Sequence, residues 1–417
     1  MPLAMRLLEV LTAMCASLGS WLLPFIRQAA RGAPSKYTIS NQKLSPIAIL
    51  NKKTLGRLQE QLMANPELDL LSIFPSDYRR QMQLALSQQP RLKISPAEIK
   101  SPPDFRDNLS GVDRAEVVFP LSERVTELLK QYSLPEGFDN PEQTLLHSLK
   151  QLLWKSPKLW ENVVRGIVVK CSDDIVIKLL SQRIPEYTEY TTLQYLAERL
   201  PDIPVPRPHG LIRCGRYTVI FMSYIPCMTL TQAWPKLSHE AKLSVQHQLD
   251  DILNKLRTLR QEDGLPLGGV RGEGVKYQHW DVVPYQEAIN SAAAFDDFRF
   301  SIPHRGSKSY IRLLRSLWRL PTKGSVFTHG DIRRDNVIIE MGVDNTCRVT
   351  GLIDWEDSGY YPEYFECMSS TITLSSTEDT DWYDYFPPCI SPSNFPVPWL
   401  IDRFWNHHMG HWRTPTK

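Results

Sequence analysis

An α+β fold of more than one unit is predicted by three features of this chain. Short β-favouring runs gather between residues 166 and 225 and again between 325 and 353, while helical stretches lie before, between and after them. A length of 417 residues with 42% hydrophobic composition can bury a core larger than one unit usually holds.

The first element is the least ordinary. Leu7 to Ile26 is a largely apolar run of about bilayer-spanning length, flanked by Arg6 and Arg27 but interrupted by Glu9, Thr12, Ser17 and Pro24. It reads as a signal anchor, as an arginine-bearing organelle presequence, or as an amphipathic helix. Membrane contact through residues 7–26 therefore stands among the expectations. Residues 37–150 follow as a helical extension with no chemistry to name. Its helical stretches are Leu55 to Met63, Asp77 to Leu86 and Leu121 to Tyr132, separated by proline-rich breaks such as Ser101-Pro102-Pro103.

Gly166 to Lys170 and Asp173 to Leu180 then read as two apolar strands around a polar turn, the second carrying one lysine, Lys178, near its end. Glu186 to Arg199 reads as a helix, with Leu193, Leu196 and Leu200 at helical spacing and Pro201 ending it. Beyond the proline-rich Ile203 to Pro208, Arg216 to Pro226 is a strand leading into an extended segment. Ser325 to Thr328 and Asn336 to Glu340 are β-favouring runs expected as a rigid pair displaying the polar loop His329 to Asp335. A third run, Val349 to Ile353, follows a turn at Met341 to Thr346 and ends at Asp354, near Asn336.

Those last strand ends carry the chemistry. Asn336 and Asp354 present oxygen ligands, the hard donors magnesium favours, and two protein ligands plus ATP phosphates complete such a site. Asp331 is placed to accept a hydrogen bond from a substrate hydroxyl and then its proton. Phosphoryl transfer asks little more of a protein than these groups and neutralised phosphates. Taken singly, each residue is a turn former or loop cap; the joint spacing is what points to a site.

His329-Gly330-Asp331, with Asn336 five residues after the aspartate and Ile353-Asp354-Trp355-Glu356 beyond, resembles the aminoglycoside phosphotransferase and choline kinase-like family, especially its fungal branch. The likeness extends through Tyr195-Leu196-Ala197-Glu198 and Ile203-Pro204-Val205-Pro206 to Gly359-Tyr360-Tyr361-Pro362-Glu363-Tyr364-Phe365-Glu366. It implies a protein-kinase-like fold, with a small β-rich lobe at 151–225 and a larger, mainly helical lobe at 226–417, preceded by the extension 37–150 and the apolar segment 1–36. It implies Asp331 as base, Asn336 and Asp354 on magnesium, and His329 as a brace for the loop. Lys178 would reach the phosphates, paired with Glu189 or, failing that, Glu186. Met222, Ser223, Tyr224 and Ile225 match the hinge whose backbone meets adenine, and Arg333 lies close enough to the loop either to add charge near the γ-phosphate or to brace the backbone.

The resemblance implies an ATP-dependent transfer to a hydroxyl of a small molecule. A catalytically silent ATP-binding scaffold of the same fold is the rival reading. A protein kinase is disfavoured, because the hairpin tip Lys170 to Asp174 lacks glycine and Trp355 follows Asp354. Gly268 to Gly274 follows a predicted helix rather than a strand, the wrong context for a phosphate loop, and is expected as a flexible connection beside the cleft. Glu378, Asp379, Asp381 and Asp384 interleave with Trp382, Tyr383 and Tyr385, which suits a cationic amine or simply a solvated acidic loop. His407, His408 and His411 are assigned no metal.

A net charge of +2 argues against a nucleic-acid partner bound by phosphate neutralisation. Seven cysteines without a Cys-x-x-Cys pair give neither a zinc template nor a disulfide framework. A reducing compartment and ATP chemistry together make the cytoplasm the expected location, with anchoring or organellar targeting through the N-terminus left open.

Overall fold

The computed structural model describes residues 46–65, 68–69, 73–75, 77–78, 81–82, 104–133, 140–181, 187–261, 264–276, 288–301, 306–318, 324–342, 346–374 and 380–406. They divide into two compact units, Met1–Lys100 and Ser101–Lys417. The first contains the helix Pro46–Ala64, which includes the stretch Leu55 to Met63. There Tyr78 donates its hydroxyl hydrogen to Asn51 Oδ1 at 2.6 Å. Of the helix expected at Asp77 to Leu86, only residues 77, 78, 81 and 82 are described. The apolar run 7–26 lies outside the described residues, and among those described no helix is long and apolar enough to cross a membrane.

The second unit opens with a six-stranded antiparallel sheet: β1 Glu116–Phe119, β2 Lys158–Asn162, β3 Gly166–Lys170, β4 Ile175–Ser181, β5 Pro208–Cys214 and β6 Tyr217–Ser223, in the order β1-β5-β6-β4-β3-β2. Alternation along β4 explains how it serves two cores. Ile175, Ile177 and Leu179 join Phe105, Val125, Leu149 and Leu153 on one face, with Ile167, Val219 and Phe221 from neighbouring strands. Val176 faces the other way, with Tyr190, Leu193 and Leu196 of the helix Thr188–Arg199. Lys178 shares the parity of Val176, so strand geometry alone turns it toward that helix.

This sheet moves the lobe boundary expected at residue 150. The helices Glu123–Lys130 and Pro141–Lys155 cover its outer face, and β1 pairs with β5 through Glu116↔Arg213 and Val117↔Ile212. Residues 104–155 are thus part of the small lobe. Four residues, Glu-Val-Val-Phe, are too few for a period-two pattern to stand out, which is why β1 was hidden in the sequence.

The rest of the unit is helical with two small sheets. Strands β7 Met228–Thr229, β10 Val337–Met341 and β11 Cys347–Leu352 form one, in the order β11-β10-β7; β8 Arg260–Gln261, β9 Ser325–Thr328 and β12 Gly359–Pro362 form the other, in the order β12-β9-β8. The helix His239–Leu256 is capped by the Ser238 hydroxyl, which accepts from Ala241 N, and buries Val245, Leu249, Leu253 and Leu256. Its Gln248 completes the exposed side of β11, accepting from Val349 N and donating to the Cys347 carbonyl, both at 2.8 Å.

The strands on either side of the loop His329 to Asp335 do not pair with each other. β9 pairs with β8 and β12, whereas β10 pairs with β7 and β11. β10 pairs instead with β11, and beyond the last paired residues Gly342 N donates to the Thr346 carbonyl at 2.8 Å. The loop therefore bridges two sheets.

Candidate active site

Lys178 ends its stem in a ring of carboxylates. Its Nζ lies 2.7 Å from Glu189 Oε2, 2.5 Å from Asp354 Oδ1 and 3.5 Å from Glu356 Oε2. Glu189 sits in the first turn of Thr188–Arg199 and is buried; Glu186 lies outside the described residues. Burial opposes the charge on Lys178, but attraction by Glu189, Asp354 and Glu356 outweighs it and raises its pKa well above the ordinary lysine value. One ammonium cannot neutralise three carboxylates. Burial accordingly pushes Glu189 up against the pull of Lys178, whereas Asp354 is held below the usual range because Lys178 overcomes its desolvation.

The loop after β9 is fixed from behind. His329 is fully buried, its Nδ1 accepts from Asp331 N at 3.2 Å, and its Nε2 is 3.1 Å from the Ile353 carbonyl. An acceptor at Nδ1 requires the hydrogen on Nε2, so the ring is neutral, and burial lowers its pKa to about 4. It lies 4.3 Å from the Trp355 ring, as befits a brace rather than an acid or base. Gly330 has φ +87°, and a Cβ there would stand 2.4 Å from the Asp357 carbonyl oxygen, so no other residue fits. Glu366, within the matching stretch but given no role of its own, accepts from His329 N at 2.6 Å and Gly330 N at 3.0 Å. Ser370 Oγ donates to the same carboxylate and accepts from Ile332 N, extending the brace past Asp331.

This brace titrates. Burial raises Glu366 to about 7 against the pull of its hydrogen-bond donors. A raised acid favours the fold fully below its unfolded value and loses that contribution as pH rises toward 7; the lowered pKa of His329 acts oppositely between about 4 and its ordinary value. Glu366→Gln removes only the first effect. Its melting temperature relative to the unaltered protein is expected to climb between pH 5 and 8 in scanning calorimetry, and a pH-independent difference would sink this reading.

Asp331 and Asn336 are joined directly. Asn336 Nδ2 donates to the Asp331 carbonyl at 2.9 Å and to its Oδ2 at 2.8 Å. Arg333 Nε lies 3.1 Å from Asp331 Oδ2, and its NH2 group 3.7 Å from Asp354 Oδ2. Burial raises the pKa of Asp331 although Arg333 works against it, which brings the carboxylate nearer the range of a useful base.

With its amide nitrogen committed, Asn336 has an Oδ1 that meets no hydrogen-bond donor among the described residues. The Asn336 carbonyl accepts from Ile353 N at 3.0 Å, tying it to the end of β11, where Asp354 takes the left-handed φ of +69°. A non-glycine residue held there costs about 1 kcal/mol or more, which the surrounding pairs sustain. The oxygens of Asn336 and Asp354 suit a magnesium ion. Glu189, Asp354 and Glu356 also bring ligand atoms within 4.8 Å of one another, around the lysine. Glu356 was given no role in the sequence reading, though it stands two residues after Asp354.

The hinge segment is less open than expected. Ser223 N donates to the Arg207 carbonyl at 2.9 Å and Tyr224 N to that of Asp174 at 2.7 Å, while Met222 is paired with Val176 and Pro208. The amide of Ile225 has no backbone partner among the described residues. At the glycine-free hairpin tip, Ser172 Oγ donates to Asp174 Oδ1 at 2.5 Å and Arg124 pairs with Asp174 at 3.2 Å, so side chains stiffen it.

Two outlying expectations change. Gly268 to Gly274 is a pinned loop, for Gly268 exchanges backbone hydrogen bonds with Tyr360 at 2.9 and 2.7 Å. Asp381 is satisfied internally by Lys242 at 2.5 Å and Trp234 Nε1 at 2.7 Å, Trp382 is buried, and the cation over Trp234 and Tyr385 is Lys242 itself. That cluster is packing. Glu378, Asp379, His407, His408 and His411 lie outside the described residues.

Residues 181–387 match the sequence model of the phosphotransferase enzyme family, APH. The match takes in Glu189, Met222 to Ile225, Asp331, Arg333, Asn336 and Asp354, and begins just after Lys178. No curated protein matches the chain. Among solved structures, it is similar to the APH(2")-IIa of a streptomycin and ATP ternary complex at 15% identity and TM-score 0.41, covering 64% of this chain and 90% of that one. It is similar to an aminoglycoside-3'-phosphotransferase of type VIII at 18% identity and TM-score 0.37, covering 62% and 95%. An ADP-bound APH(2'')-Ib gives 14%, 0.37, and coverage of 59% and 79%.

Proposed function

We propose that this chain, whose residues 181–387 match the phosphotransferase enzyme family, transfers the γ-phosphate of ATP to a hydroxyl of a small molecule. The observation that carries this reading is Lys178 Nζ in contact with Glu189 on one side and Asp354 on the other, which joins the small lobe to the strand end beside Asn336. Asp331 accepts the hydrogen bond of the acceptor hydroxyl. As the oxygen–phosphorus bond forms and the bond from the γ-phosphorus to the β,γ-bridging oxygen breaks, the hydroxyl proton passes to the Asp331 carboxylate and ADP departs. Lys178, placed by Glu189, pairs with the α- and β-phosphates. Arg333, adjacent to both Asp331 and Asp354, adds positive charge beside the γ-phosphate. Magnesium on Asn336 Oδ1 and Asp354 supplies further charge neutralisation when bound.

The protein's location under this reading is the cytoplasm, where ATP is available. The test of the activity is a magnesium-dependent ATP-consumption screen over small hydroxylated amines, sugars and secondary metabolites, run beside Asp331→Ala. At least one compound is expected to raise consumption in the unaltered protein alone. The proposal fails if none separates the two proteins and ATP leaves the melting temperature unmoved.

A further inference from the structure

At the N-terminus of the helix that carries Glu189, Tyr187 provides no side-chain cap. Beside the core packing of Tyr190, Leu193 and Leu196, two stripes of polar contacts at helical spacing hold the helix. On one, Thr192 Oγ1 is 2.8 Å from Ser358 Oγ and Tyr195 bonds Tyr360 at 2.5 Å. On the other, Thr191 Oγ1 donates to Glu273 Oε1 at 2.5 Å and Gln194 Oε1 accepts from Arg271 at 3.1 Å. Both partners of the second stripe come from the loop Gly268 to Gly274. Arg271 also lies over the Phe119 ring, which packs against Tyr190 of the same helix at 4.6 Å.

The loop is shaped for this. Gly268, at φ +97°, approaches Gly274 so closely that a Cβ would stand 1.9 Å from its carbonyl oxygen. Gly269 N donates to that carbonyl at 3.2 Å, and the second oxygen of Glu273 accepts from Arg271 N at 2.7 Å. The carboxylate thus ties its own loop with one oxygen and the helix with the other. The loop in turn hangs from Tyr360 on β12, the strand that pairs with β9 and hence with the chain entering His329.

We propose that Glu273 is a positioning residue, which sets the helix Thr188–Arg199 at the height where Glu189 meets Lys178. This rests on the phosphotransferase reading only for its consequence in catalysis; the positioning itself is measurable without turnover. Lys178 is buried against Glu189 while the helix is seated, so its acylation by trace acetic anhydride, followed by mass spectrometry relative to Lys150, reports the seat. In Glu273→Ala the labelling of Lys178 and amide exchange across 188–199 are expected to rise about tenfold, the change one lost charge-assisted hydrogen bond produces. Exchange in His239–Leu256 stays as it was. Thr191→Val, which removes the helix side of the same bond with little change in volume, gives the same increase and carries the test if Glu273→Ala does not fold. Glu273→Gln, which keeps an acceptor for Thr191, stays within about threefold of the unaltered protein. Unchanged Lys178 labelling in the folded Glu273→Ala or Thr191→Val protein overturns the proposal. Magnesium-ATP slows labelling in the unaltered protein if the nucleotide reading holds; if it does not, that reading fails while the comparison among variants still decides the role of Glu273.

Discussion

Asp331→Asn is expected to lower kcat with a responsive acceptor by about 10³, within the range general base groups contribute, while the Kd for ATP moves less than threefold. The split follows from geometry. Asn keeps the shape of the carboxylate and its contacts with Asn336 and Arg333, so nucleotide and metal ligands remain in place, but it takes no proton. Because burial raises the pKa of Asp331, the acid limb of kcat/KM should also lie above that of an ordinary aspartate and disappear in the variant. Steady-state kinetics from pH 5 to 9, with equilibrium binding of ATP, measure both. A variant that binds ATP ten times more weakly and keeps its kcat would refute the assignment of Asp331 as base.

Lys178→Met is expected to be the most damaging single change to the site before any substrate arrives. It strips the one ammonium from Glu189, Asp354 and Glu356, whose ligand atoms lie within 4.8 Å of each other. Breaking a buried pair by removing one partner costs about 3 to 5 kcal/mol, equivalent to roughly 5 to 10 °C in melting temperature for a unit this large. The sign with pH is set by the carboxylates left behind. Their folded-state pKa values rise without the lysine, so the variant loses stability as pH increases and the deficit is larger at pH 8 than at pH 5. Adding Glu189→Gln to Lys178→Met should recover part of the loss, since a neutral amide replaces a buried unpaired charge. Calorimetry at both pH values checks it; a deficit that shrinks toward pH 8 is incompatible with this account of the cluster.

Much of the site was legible because its signals are local. Asp331, Asn336 and Asp354 are fixed by strand ends a few residues away, and Lys178 and Val176 share a face by the period of two. Glu189 was reached through the family resemblance, followed back along one helix. The hidden parts depend on partners distant in sequence. Glu366 meets His329 thirty-seven positions upstream, and no local pattern marks a carboxylate destined for two backbone amides. Gly268 to Gly274 looked flexible because glycine content was visible and Tyr360 and Thr191 were not. Asp381 resembled a ligand for a foreign cation until Lys242 supplied one from within the chain. β1 could be recognised only beside β5.

The separation of β9 from β10 bears on how the molecule comes to be assembled. Asp331 and Asn336 hang between one sheet uniting β8, β9 and β12 and another uniting β7, β10 and β11, whose strands are drawn from residues as far apart as 228 and 362. Contacts of such long sequence separation form slowly, after the loop-closure entropy between them has been overcome. A chain still emerging from the ribosome, or one cut short before residue 359, would hold every residue of the His-Gly-Asp loop and lack the strand that seats it. The geometry of the loop thus waits on residues 359–366, and a chain that ends before them lacks both the strand and the carboxylate that seat it.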